Sequence, residues 1–187
     1  MGILERRAAR ALAAVLAAAG LVLLAPSTAG AAEKVLSLTV YKQEESNWCW
    51  AAASKMIIKY QTGKVVTQCN IVKNGKAASV CKNVAGTNAN VRRALDRYGV
   101  NAGTEVPTEW ARNVSEIKAG RPVYGTIRWR EGGGHALVIR GWYDTGYSYG
   151  VSYADPWTGT TTSKEWGQYL SNSRWTAGTQ LIHLYKK

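Results

Sequence analysis

The chain has 187 residues, with 24 Lys and Arg against 12 Asp and Glu, a formal net charge of +12. Its two His and three Cys do not fall in a metal-ligand spacing, which excludes a zinc site, and no cofactor is expected. No Lys or Arg run exceeds two residues, so the charge does not read as a nucleic-acid patch.

Residues 1–32 read as a secretory signal peptide and stand apart from the fold. Arg6, Arg7 and Arg10 give a positive start, Ala11 to Ala25 is an apolar run, and Ser27-Thr28-Ala29-Gly30-Ala31-Ala32 is a small-residue cleavage region. Cleavage is expected after Ala31 or Ala32. The apolar run spans about 15 residues, short of the roughly 20 that a bilayer-crossing helix needs. Secretion is therefore the expected localisation. Residues 33–187 are enough for one domain with a single core. Without Arg6, Arg7, Arg10 and Glu5 that domain keeps 21 basic and 11 acidic residues, a balance of +10. Such a charge favours an anionic wall or membrane surface as a partner.

Three helices are predicted in chain order. The first starts at an Asn47 cap and runs to about Tyr60, with Cys49, Ala53, Met56, Ile57 and Tyr60 on one face and Gly63 closing it. The second covers Asn88 to Tyr98, with Val91, Ala94, Leu95 and Tyr98 as its apolar stripe and Gly99 beyond its end. The third starts at Thr108, carries Trp110, Val114 and Ile117, and stops at Gly120.

After Pro122 the period becomes two. Val123, Gly125, Ile127 and Trp129 alternate with Tyr124, Thr126, Arg128 and Arg130, and strands follow at 135–142, 147–154 and 180–185. Turns are read at Asp144-Thr145-Gly146 and Trp157-Thr158-Gly159. Helices first and antiparallel strands second make an α+β fold with a helical lobe and a β lobe. His183 alternates with Leu181 and Tyr185 in the last strand and reads as packing. The sequon Asn113-Val114-Ser115 falls on the third helix and carries no expectation.

An odd number of cysteines in an oxidising compartment leaves one thiol free. Cys69 and Cys81 lie close together around a polar loop, so they are expected to pair, leaving Cys49 free. Thiols attack as thiolates, and helix N-termini favour thiolates through the backbone dipole and free N–H groups. Cys49 stands in such a first turn, where its own N–H can also donate to a developing oxyanion; an amide side chain upstream, Gln43, could supply a second donor. A base must come from elsewhere in the fold. His135, after Gly132-Gly133-Gly134, opens a strand, the glycines allowing close approach to the other lobe. Asp155 ends the next strand and would face His135 if the two strands pair. Asp144 competes for that role but lies in the turn at the far end of the hairpin.

These residues resemble the papain superfamily of cysteine peptidases. Gln43-x5-Cys49 followed by Trp50-Ala51 matches its nucleophile motif. Gly134-His135-Ala136-Leu137-Val138 and Asp155-Pro156 are similar to its compact bacterial branch, which includes bacteriocin-processing and effector-type proteases. The resemblance implies a papain-like two-lobed fold and hydrolysis of peptide bonds by a secreted enzyme without cofactor, with Cys49 as nucleophile, His135 as base, Asp155 orienting it and Gln43 as oxyanion donor. The expected partner is a protein or peptide substrate, met by a monomer. Two departures stand out. About ten residues separate the leader from Gln43, too few for an inhibitory propeptide, and no cysteine lies between Ser46 and Trp48. Rival readings keep the fold: hydrolysis of peptidoglycan peptides or transglutamination through the same residues, or a catalytically silent binding protein.

Overall fold

The computed structural model describes residues 31–187, so residues 1–30 of the expected signal peptide lie outside the described part. Strand β1 (Ala32–Val35) is followed by helices α1 (Cys49–Thr62), α2 (Gln68–Lys76) and α3 (Asn88–Arg97). Strand β2 (Thr104–Pro107) and helix α4 (Trp110–Lys118) lead to β3 (Val123–Trp129), β4 (Gly134–Asp144), β5 (Tyr149–Asp155) and β6 (Thr160–Glu165). Helix α5 (Trp166–Leu170) and β7 (Trp175–Ile182) complete the mixed α+β fold. The strands form one seven-stranded sheet in the order β2-β7-β3-β4-β5-β6, with β1 added to β4. Every pairing is antiparallel.

Alternation along the strands divides the core between two sides of this sheet. Tyr124, Ala136, Val138, Ala154 and Leu181 pack with Trp50, Met56, Ile57, Ile71 and Leu95 of the helical lobe. Ile127, Leu137, Ile139, Val151 and Tyr153 pack instead with Trp166, Tyr169 and Trp175.

Several boundaries differ from those read in the sequence, each for a tertiary reason. Trp48, not Asn47, occupies the cap of α1, and no side chain caps the helix. Asn47 is drawn away by Asn83, whose Oδ1 accepts the Asn47 N–H at 3.0 Å. Gly63 does close α1, in a left-handed conformation with φ 74°. Part of the presumed polar loop after Cys69 is helix α2, capped by the Thr67 side chain. One of its buried residues is Gly75, which faces the Trp50 ring, where a Cβ would come within 2.7 Å of Cζ3. Helix α3 has a full capping box between Thr87 and Asn90. Helix α4 begins at Trp110 because Thr108 donates its hydroxyl to the Gly178 carbonyl.

The helices-then-strands order is broken by β1 and β2, which are short strands with mostly exposed residues. Strand β6, Thr160–Glu165, is exposed along nearly its whole length and so shows no alternation to read. Strand β7 starts at Trp175 and ends at Ile182, because His183 takes φ 62° and donates its N–H to Glu116 Oε2 at 2.9 Å. The His183 side chain is 51 % exposed rather than packed in a strand. Asn113 is fully buried and donates to the Glu109 carbonyl, so its sequon is closed to modification.

The bond expected between Cys69 and Cys81 is present, and Cys49 is free. That bond fixes the start of the segment whose backbone supports the turn around Cys49. The Lys82 carbonyl accepts from the Trp48 ring N–H at 3.1 Å, and the Val84 carbonyl accepts from Trp50 at 3.2 Å. Replacing both Cys69 and Cys81 by Ser is expected to lower stability by about 3 kcal/mol, the loop-closure value for a ring this small. Denaturant melts of the two proteins check it; equal midpoints would mean that the bond contributes nothing.

Candidate active site

Cys49 is the first residue of α1. The first N–H groups of a helix have no partner within it, and here no capping side chain takes one, so they remain available to an anion at this end. Trp48 and Trp50 on either side are buried, and their ring N–H bonds fix the turn from which the thiol projects.

His135 lies at the start of β4 and Asp155 at the end of β5. In the hairpin Val138 pairs with Ala154, which sets Asp155 opposite Leu137 and on the same face as His135 two residues away. The reach is completed by the side chains: His135 Nε2 lies 2.7 Å from Asp155 Oδ1. The same carboxylate oxygen accepts the Trp157 N–H at 2.8 Å, which holds it in place. Cys49 lines the same cleft as His135 and is one of the groups that raise the His135 pKa. With Nε2 given to Asp155, Nδ1 is the nitrogen left for the thiol. Asp144 sits opposite Tyr149 at the other end of the hairpin and accepts from the Gly146 N–H instead.

His135 is only 7 % exposed. Burial works against its charge, but the bond to Asp155, the nearby Cys49 and the Asp155 carboxylate charge outweigh it, and its pKa is pushed up to about 9. Asp155 moves the other way. Burial opposes its ionisation, yet the bonds from His135 and the Trp157 N–H hold its carboxyl below the usual range. The arrangement therefore favours an imidazolium held by the Asp155 carboxylate.

The three glycines before His135 act differently from expectation. Gly132 and Gly133 have φ 100° and 79° with open space around them. Their task is the left-handed backbone of the β3–β4 turn rather than close approach to another lobe. Gly134 alone is close to a neighbour, the Ile127 carbonyl, at 3.0 Å from a Cβ position.

Gln43 is not among the residues lining the cleft that contains Cys49, His135 and Asp155. Its Nε2 donates to the carbonyls of Glu45 and Ser46, both at 2.8 Å, and its Oε1 is buried without a partner. Its backbone N–H bonds the Pro156 carbonyl at 2.8 Å, joining the loop before Cys49 to the turn after Asp155. Gln68 braces the same loop from below, accepting from the Glu44 N–H and donating to the Lys42 carbonyl.

Two aromatic residues escaped the sequence reading as parts of the site. Trp129 stacks on the His135 ring, with centroids 5.8 Å apart and planes 25° from parallel. An indole face in that position favours a charged imidazole. The signal was present: Trp129 ends the β3 face that also carries Ile127, and Ile127 pairs with His135. Trp157 stands 59 % exposed at the cleft mouth. The cleft encloses about 920 Å³.

Among comparisons with known proteins, the model of a family described as papain-like cysteine protease AvrRpt2 matches residues 32–185. No curated protein matches the chain.

Proposed function

The chain belongs to the papain-like cysteine protease AvrRpt2 family, and from that premise we propose that it is a secreted peptidase working through Cys49, His135 and Asp155. That it is a papain-like cysteine peptidase, a hydrolase, follows from the family. One observation carries the assignment of roles. A free thiol at an uncapped helix start shares a cleft with an imidazole whose Nε2 lies 2.7 Å from a carboxylate.

In the proposed reaction the Cys49 thiolate attacks the carbonyl carbon of a peptide bond and a C–S bond forms. The carbonyl oxygen becomes an oxyanion facing the Cys49 N–H, with Gln43 as the second donor. For Gln43 this means that one N–H leaves its loop carbonyl when substrate arrives, since such bonds often tighten only in the complex. His135 Nδ1 gives its proton to the leaving nitrogen as the C–N bond breaks. It then takes a proton from water, whose oxygen attacks the thioester and frees Cys49. Asp155 keeps the ring oriented and charged.

The roles are tested by an epoxide-type thiol inhibitor followed by mass spectrometry. A single adduct on Cys49, formed much faster than with a free thiol, is expected; a rate equal to that of an ordinary thiol favours the silent binding protein. The pH profile is a further check. Because the leaving nitrogen needs a proton from the imidazolium, kcat/KM is expected to fall above about pH 9, where His135 loses it. Stability has the same sign: the contribution of the raised pKa is complete below about 6.5, the unfolded value, and is lost as pH rises through about 9. An alkaline limb near the unfolded value instead would separate His135 from Asp155.

Secretion is supported by the leader pattern, and residence at an anionic wall or membrane surface by the +10 balance of residues 33–187. N-terminal sequencing of exported protein should begin at Ala32 or Glu33; a sequence beginning at Met1 would refute the leader.

A further inference from the structure

The β-lobe wall beside His135 carries cations with no acidic partner. Arg174 Cζ lies 5.5 Å from the ring centre of Trp129, the residue stacked on His135. Trp175 meets Trp129 edge to face at 5.8 Å and holds Lys164 Nζ over its own ring at 5.1 Å. Arg130 is anchored by the Asn172 carbonyl and the Ser171 hydroxyl. None of the three cations joins an ion pair among the described residues. The acids lining the cleft are Glu131 and Asp155, and Asp155 is engaged by His135.

Parking a long cationic side chain on an aromatic face restricts it before any ligand arrives, which lowers the ordering cost of binding. The location identifies the part of the substrate concerned. His135 must protonate the leaving nitrogen, so the chain that continues from that nitrogen passes on the His135 side, where Trp129 lies. The geometry points to a subsite for a side-chain carboxylate, Asp or Glu, at the first or second position after the cleaved bond, formed by Arg174 and Lys164 on Trp129 and Trp175. This rests on the peptidase reading above.

A C-terminally amidated peptide library is digested with the protein, and cut sites are located by mass spectrometry. Asp and Glu should be enriched three- to tenfold over Asn and Gln in the first two positions after the cut, since one exposed charge pair contributes up to about fivefold. Lys and Arg should be depleted there. In the Lys164→Gln, Arg174→Gln double variant the enrichment should fall below twofold. It should fall likewise in 1 M salt, where the Debye length is about 3 Å. Because the readout is a ratio within each protein, a general loss of rate cancels. Cleavage without acidic enrichment, or enrichment that survives in the variant, overturns the subsite and leaves the peptidase reading standing. A preference seen only in a library with free C-termini assigns the carboxylate to the chain end and overturns the side-chain assignment. No cleavage, together with no inhibitor adduct on Cys49, removes the peptidase reading and the subsite with it.

Discussion

Asp155→Ala is expected to lower kcat by about three to four orders of magnitude, the scale seen when a catalytic histidine loses its orienting partner. Two effects combine. Without the carboxylate 2.7 Å from Nε2, the ring is free to turn, and Nδ1 no longer faces Cys49 reliably. The imidazolium also loses one of the charges that raise its pKa, so less of it exists at neutral pH. Asp155→Asn should be milder than Ala, because an amide oxygen still accepts from Nε2–H but as a neutral partner. Its alkaline limb should move down from about 9. Asp144→Ala separates this from a general effect of removing an acid in the hairpin. Asp144 lies nine residues from His135, about 30 Å along an extended strand, and its carboxylate serves the Gly146 N–H in the turn. Its loss should leave kcat unchanged. Steady-state kinetics with the reverse order, Asp144 severe and Asp155 mild, would remove Asp155 from the mechanism.

Gln43→Ala is expected to lower kcat by about 10²–10³, the cost of one oxyanion donor, with activity remaining because the Cys49 N–H is untouched. The residue also bonds the Glu45 and Ser46 carbonyls, so truncation loosens the loop before Cys49 as well. The two contributions separate experimentally. A lost donor lowers kcat with little change in KM, whereas a displaced loop lowers the melting temperature and slows alkylation of Cys49. If kcat stays at the wild-type value while stability falls, Gln43 is a loop tie alone, as its present hydrogen bonds would allow.

The helices were legible where the stripe was long and the stop was local. Helix α3 has Val91, Ala94 and Leu95 buried on one face, its own capping box, and Gly99 at φ 84° just past its end. Helix α2 was hidden because its core-facing residues include a glycine, placed there by the ring of Trp50, a residue outside the helix. The start of α1 was misread by one residue for a similar reason. Asn47 is a good cap by type, but Asn83, 36 positions away, competes for it.

What the sequence by itself determined is the set of groups with unusual chemistry and the turns needing no distant partner. A free cysteine at a helix start, a histidine opening a strand and an acid at the end of the next are local facts, and a two-residue side-chain period brings the last two to one face once the strands pair. The pairing of Cys69 with Cys81 was equally local, since the two lie 12 residues apart. What only the tertiary structure decided is where hydrogen-bond donors and rings point. The Gln43 amide, the Thr108 hydroxyl and the His183 backbone each chose a partner that the segment itself does not reveal. Exposed strands such as β6 carry no hydrophobic alternation, so their pairing is legible only from the neighbour that accepts them. The stack of Trp129 on His135 depends on both: an alternation written in β3, and a register between β3 and β4 that folding alone sets.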